Sequence, residues 1–133
     1  MGKRLVLALA LTLAGASVAS ACWCTDMTLA RACEGRAARF FTARVESVDT
    51  SGSYARVRFR IIQTVAGPPA RVLELRMGMG RDEISSCDGR APFAVGEYVL
   101  VAQEHAGSHV GICDLTRVLP SERAARRPCD VRP

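Results

Sequence analysis

Two cysteines flanking a tryptophan, Cys22-Trp23-Cys24, follow directly on a tripeptide of small residues, Ala19-Ser20-Ala21. A cut after Ala21 makes Cys22 the first residue and turns its α-amino group into a functional group. An α-amino pKa of about 7.7 to 8.0 leaves part of that group unprotonated near neutral pH. Lys3 is the only lysine, so the same cut leaves that nitrogen as the sole primary amine.

The cut is expected from the first 21 residues. Lys3 and Arg4 form a positive n-region, Leu5 to Leu13 an apolar h-region, and Ala19-Ser20-Ala21 an A-x-A cleavage site, the three parts of a signal peptide. The apolar stretch is too short for a membrane anchor. A cysteine after a small residue is also where a bacterial lipoprotein is cut and acylated. Against that reading, Ala19 stands where lipoprotein signals prefer a larger aliphatic residue, and acylated Cys22 leaves an odd number of cysteines. Residues 22–133 then make one small domain, secreted or periplasmic, with no run long enough to span a membrane. Its net charge is two units below the +5 of the full chain, because Lys3 and Arg4 leave with the signal. That mild basicity does not suggest nucleic acid as a partner.

Six cysteines in a short exported protein, Cys22, Cys24, Cys33, Cys87, Cys113 and Cys129, read as three disulfides. Composition leaves all fifteen pairings open, although a bond between Cys22 and Cys24 would close a cramped ring. A metal site fits less well. Cys-x-Cys lacks the usual two-residue spacer, and no second Cys-x-x-Cys or His-x-x-x-His on a helix completes four ligands.

The elements that must carry these cysteines read mostly as strands. Phe41, Ala43 and Val45 alternate with Thr42, Arg44 and Glu46, and Val57, Phe59 and Ile61 alternate with Arg56, Arg58 and Arg60. Turn residues from Asp49 to Ser53 join the two into a hairpin. Gly67-Pro68-Pro69 leads to a third strand with Leu73, Leu75 and Met77 on one face, and a long loop from Gly78 to Gly96 carries Cys87. A fourth strand is expected over Tyr98 to Gln103 and a short fifth over Val110 to Cys113. Five short strands with regular turns predict an antiparallel barrel or sandwich. Helix is confined to the ends: a turn begun by Asp26 or Thr28 toward Cys33, and Glu122 to Arg127 capped by Ser121.

Catalytic constellations are lacking, and the protein reads as a non-enzyme. His105 and His109 are separated by Gly107 in a turn, not carried on a ligand-bearing helix. The serine of Gly107-Ser108-His109-Val110-Gly111 sits one residue too early for a nucleophile elbow. Arg56, Arg58 and Arg60 share a strand face, but aromatics are 5% of the residues, too few for base stacking; a solvated face explains them better.

The whole cysteine frame resembles the inhibitory N-terminal domain of the tissue inhibitors of metalloproteinases, part of the netrin-like family. Cys22-x-Cys24 at the mature N-terminus, Cys33 soon after, Cys87 in a loop following the third strand, Cys113 ending the fifth strand and Cys129 after a helix all have counterparts. Thr42-Ala43-Arg44-Val45-Glu46-Ser47-Val48 resembles the first strand of that family, Ser85-Ser86-Cys87-Asp88-Gly89 its connector loop, and Tyr98-Val99-Leu100-Val101-Ala102 its fourth strand. The resemblance implies a mainly β, five-stranded OB-fold barrel with a C-terminal helix. It also implies three disulfides: Cys22 with Cys87, Cys24 with Cys113 and Cys33 with Cys129.

The function it implies is inhibition of zinc metalloproteases. The α-amino nitrogen and carbonyl oxygen of Cys22 would chelate the protease's zinc and displace the water that serves as nucleophile. Cys22, Trp23, Cys24 and Thr25, together with Ser85 and Ser86, would form the contact surface. Zinc would be shared only through the partner protease; no cofactor of the protein's own is implied. Three features depart from the animal inhibitors: Trp23 stands where a small or polar residue usually enters the primary specificity pocket, and the segments 25–32 and 49–53 differ. A non-inhibitory extracellular or periplasmic interaction module is the alternative, since a fold does not fix a function.

Overall fold

The computed structural model describes residues 25–79 and 93–130. The expected signal peptide, Cys22, Trp23 and Cys24, and the segment with Ser85, Ser86 and Cys87, lie outside them. The protein is mainly β. Helix α1 (Leu29–Cys33) precedes strands β1 (Arg39–Asp49), β2 (Ala55–Ala66), β3 (Val72–Met77), β4 (Tyr98–Gln103) and β5 (Leu115–Leu119), and helix α2 (Glu122–Arg126) and a single 3-10 turn (Pro128–Asp130) follow. The strands form one sheet in the order β3-β2-β1-β4-β5, every neighbouring pair antiparallel.

The sheet is curled. Its β3 edge meets the segment running from β4 to β5 through a parallel bridge between Arg76 and His109. There the Arg76 N–H donates to the Ser108 carbonyl at 2.8 Å, and the Val110 N–H donates to the Arg76 carbonyl at 2.9 Å. One core fills the inside of the curl, with Phe41, Val45, Val57, Phe59, Leu75, Met77, Val99, Val101 and Val110. Phe59 lies edge-on to Phe41 and Phe93, with ring centroids 5.4 and 6.0 Å away, an arrangement that suits the ring quadrupoles.

A second core lies on the opposite face, where α1 and α2 cover Phe40, Leu100, Ala102 and Leu119 with Met27, Ala32 and Ala125. Strands β1 and β4 are therefore buried on both faces where the helices sit. Thr42, expected on a solvated face, is fully buried; its hydroxyl donates to the Ala125 carbonyl and so satisfies an acceptor near the end of α2. Replacing Thr42 by valine keeps the shape and removes the donor. We expect a loss of about 1 to 3 kcal/mol in denaturant unfolding, with Thr42→Ser close to wild type.

The helices begin at the expected caps. The Thr28 hydroxyl accepts from the Arg31 N–H and the Ser121 hydroxyl from the Ala124 N–H, each satisfying a donor left open by the first turn. Neither helix is long enough to hold itself together in water. A disulfide between Cys33 and Cys129, with Cα atoms 5.8 Å apart, ties the end of α1 to the 3-10 turn. It closes a loop of 96 residues, for which the loop-entropy argument gives about 3 to 5 kcal/mol. This is one of the three pairings that the resemblance implied.

The fifth strand is displaced from its expected place. Val110 to Cys113 is not a strand: the Asp114 carboxylate accepts from the N–H groups of Glu104 and Gly111, which folds this stretch into a turn. Val110 is apolar because it enters the inner core, not because it belongs to an alternating strand. The actual β5 escaped the period-2 signal because Leu115, Thr116 and Arg117 are all half-buried. Cys113 accordingly precedes the fifth strand instead of ending it.

Candidate functional site

The first described residues run straight out of the Cys22-Trp23-Cys24 triplet. Thr25 and Asp26 are exposed and Met27 is buried at 4% exposure, inserted under the helices in the outer core. The Met27 N–H donates to the Cys113 carbonyl at 2.7 Å, and Thr28 then caps α1. The backbone is thus anchored from Met27 onward. Met27 is the only apolar residue between Cys24 and Leu29, which makes it the one side chain of this segment suited to the core.

Cys113 is itself disulfide-bonded. Among the described cysteines the other two bond each other, so the partner of Cys113 is one of Cys22, Cys24 and Cys87. The backbone contact at Met27 brings the residue three positions past Cys24 against Cys113. The Asp114 carboxylate fixes the Cys113 turn from the other side. Of the residues expected at the contact surface, the structure describes Thr25 alone; the remaining five lie outside the described residues.

The arginine face does not make an anion track. Arg56 donates to Asp49 at 2.9 Å, while Arg58 and Arg60 both pair with Glu46, at 3.1 and 2.6 Å. The hydrogen bond from Arg56, reinforced by the Ser51 hydroxyl and N–H, holds the Asp49 carboxyl well below the usual carboxylate range. Glu46 is lowered chiefly by its hydrogen bond from Arg58, with the Arg60 charge adding to it against partial desolvation. The Arg56 guanidinium is raised by Asp49 in return. These pairs are solvent-exposed and contribute little to stability, but they commit much of the positive face to internal partners.

Among the described residues, the serine and histidines of the turn after β4 take these places. The Ser108 hydroxyl accepts from Arg76 at 3.3 Å, His109 stacks edge-on to Tyr54 at 5.0 Å, and His105 is exposed on the turn. Among the described residues no three His, Cys, Asp or Glu side chains are grouped to hold a metal ion, and no helix is long and apolar enough to cross a membrane. No protein-family model matches the sequence, nor does any curated protein.

Proposed function

We propose that residues 22–133 form a netrin-like OB-fold domain, secreted or periplasmic, that inhibits zinc metalloproteases through the amine and carbonyl of Cys22. Two features of the structure support the fold. A five-stranded antiparallel sheet in the order β3-β2-β1-β4-β5 becomes an OB barrel when β3 meets the segment entering β5, and the parallel bridge at Arg76 and His109 lies where that closure is needed. The bond between Cys33 and Cys129 agrees with the family's third pairing.

The observation that carries the inhibitory reading is the contact of Met27 with Cys113. A chelating N-terminus has to be presented rigidly, since each residue left free loses conformational entropy on binding. Here the triplet issues from a stem already hydrogen-bonded to the barrel beside a disulfide-bonded cysteine. A bond from Cys24 to Cys113 would complete the clamp three residues from the anchor. Trp23 would then point to a protease with a wide primary pocket, because an indole is excluded from a narrow one.

The test is to purify the exported protein and establish by intact mass that it begins at Cys22, without lipid and with six hydrogens fewer than the reduced form. It is then assayed against a panel of zinc proteases that includes those of its own host. Inhibition of at least one, competitive with a zinc-binding small molecule, is the expected result. An acylated or extended N-terminus, or inactivity across the panel, favours the non-inhibitory interaction module.

A further inference from the structure

We propose that the cleft where the turn between β2 and β3 meets the start of β1 binds a short, branched aliphatic carboxylate, with the hydrocarbon part in the cleft and the carboxylate on Arg39. This site is independent of the inhibitory reading. The cleft has a volume of about 90 Å³ and is lined by Phe41, Ile61 and Leu73 from the inner core, by Pro68 and Pro69 from the turn, and by Arg39. Ile61 and Leu73 are only partly buried, unlike their neighbours Phe59 and Leu75, because the interior opens to solvent here.

The cleft is preformed. Gly67 opens the turn with a φ of +90°, and a Cβ there would lie 2.9 Å from the Ala38 carbonyl, so the turn packs directly against the backbone entering β1. Two consecutive prolines stiffen it, and the Ile61 N–H donates to the Arg71 carbonyl at 2.9 Å across its base. Little ordering is left to be lost on binding.

Arg39 supplies the charge. Its Nη1 donates to the Gln103 amide oxygen at 2.9 Å and to the Gly107 carbonyl at 2.8 Å, both neutral acceptors. Gln103 is itself fully buried and donates to the carbonyls of Gly107 and His109, which keeps the arginine in place. The ion pairs found among the described residues use Arg36, Arg56, Arg58, Arg60 and Arg126; Arg39 has no acidic partner there. Its remaining N–H groups offer the planar fork that suits a carboxylate.

Size and polarity set the ligand class. A cavity of about 150 Å³ holds benzene, so this one takes an isopropyl or isobutyl group. A branched short-chain acid carries that group next to a carboxylate, and so does the C-terminal valine or leucine of a peptide. Both sources share the chemistry.

Backbone amide shifts in the mature protein, followed by NMR, test this with isovalerate, N-acetyl-leucine, N-acetyl-glycyl-leucine and N-acetyl-leucinamide. The acids are expected to give saturable shifts at Ile61, Thr64 and Leu73 with a Kd on the order of 1 mM, as suits so few atoms. The uncharged amide should bind at least about tenfold more weakly. A peptide acid tighter than isovalerate assigns the site to the C-terminus of a polypeptide; isovalerate equal or tighter assigns it to a free acid. Arg39→Gln should weaken every acid about tenfold. Because Arg39 also holds Gln103 and the Gly107 turn, Thr64→Phe is the second variant: Thr64 lines the cleft, and the larger ring fills it while Arg39 stays. Loss of the shifts in a folded Thr64→Phe protein is expected. Amide and acid binding equally, unchanged binding by Thr64→Phe, or no saturable shift in the folded wild type would overturn the proposal.

Discussion

Carbamylation of the exported protein is expected to abolish inhibition of a susceptible zinc protease while leaving the fold intact. Lys3 is the only lysine; on the proposed cut after Ala21 it leaves with the signal peptide, and cyanate then meets a single primary amine, that of Cys22. The carbamyl cap delocalises the nitrogen lone pair into a urea and ends its capacity to bind zinc. Loss of a metal bond worth several kcal/mol corresponds to a fall in affinity of about a hundredfold or more. Neither core and neither cysteine of the Cys33 to Cys129 bond includes the modified residue, so the unfolding midpoint should stay within error. Equal inhibition by capped and uncapped protein would show that zinc chelation by Cys22 is wrong, whatever the contact surface proves to be.

Phe59→Ala is expected to destabilise the domain by about 3 to 5 kcal/mol, against roughly 0.5 kcal/mol or less for Arg58→Ala next to it. Phe59 is fully buried and touches rings on two sides. Its removal forfeits the transfer free energy of the ring and leaves a void that the paired backbone of a central strand cannot close. Arg58 projects to solvent and loses one exposed ion pair to Glu46, which is worth little. Urea unfolding of both variants measures the contrast. Similar effects at the two positions would mean that β2 presents the opposite face to the core, a one-residue slip that would reverse every side chain on the strand.

Elements whose periodicity has a local cause were legible in the order of residues. Strands β2 and β3 alternate because one face is inside the curl and the other in water, and Tyr98 to Gln103 is apolar for most of its length because both faces are covered. The caps at Thr28 and Ser121 could be read because a hydroxyl answers a donor only three residues away. Whatever depends on distant partners was settled by packing instead. Thr42 is buried because α2 returns to β1 some 83 residues later, so no local pattern marks it. Val110 resembled a strand residue because its side chain enters the inner core from a segment that touches β3 only through an isolated bridge. Met27 became the anchor of the N-terminal stem through a backbone bond to Cys113, and a backbone bond leaves no trace in residue type. Arg39 lines a cleft only because the turn at Gly67 folds back over Ala38. The family resemblance of the cysteine frame implied what chemistry the N-terminus could perform, while the stem that would hold it in place is a product of contacts between segments far apart in sequence.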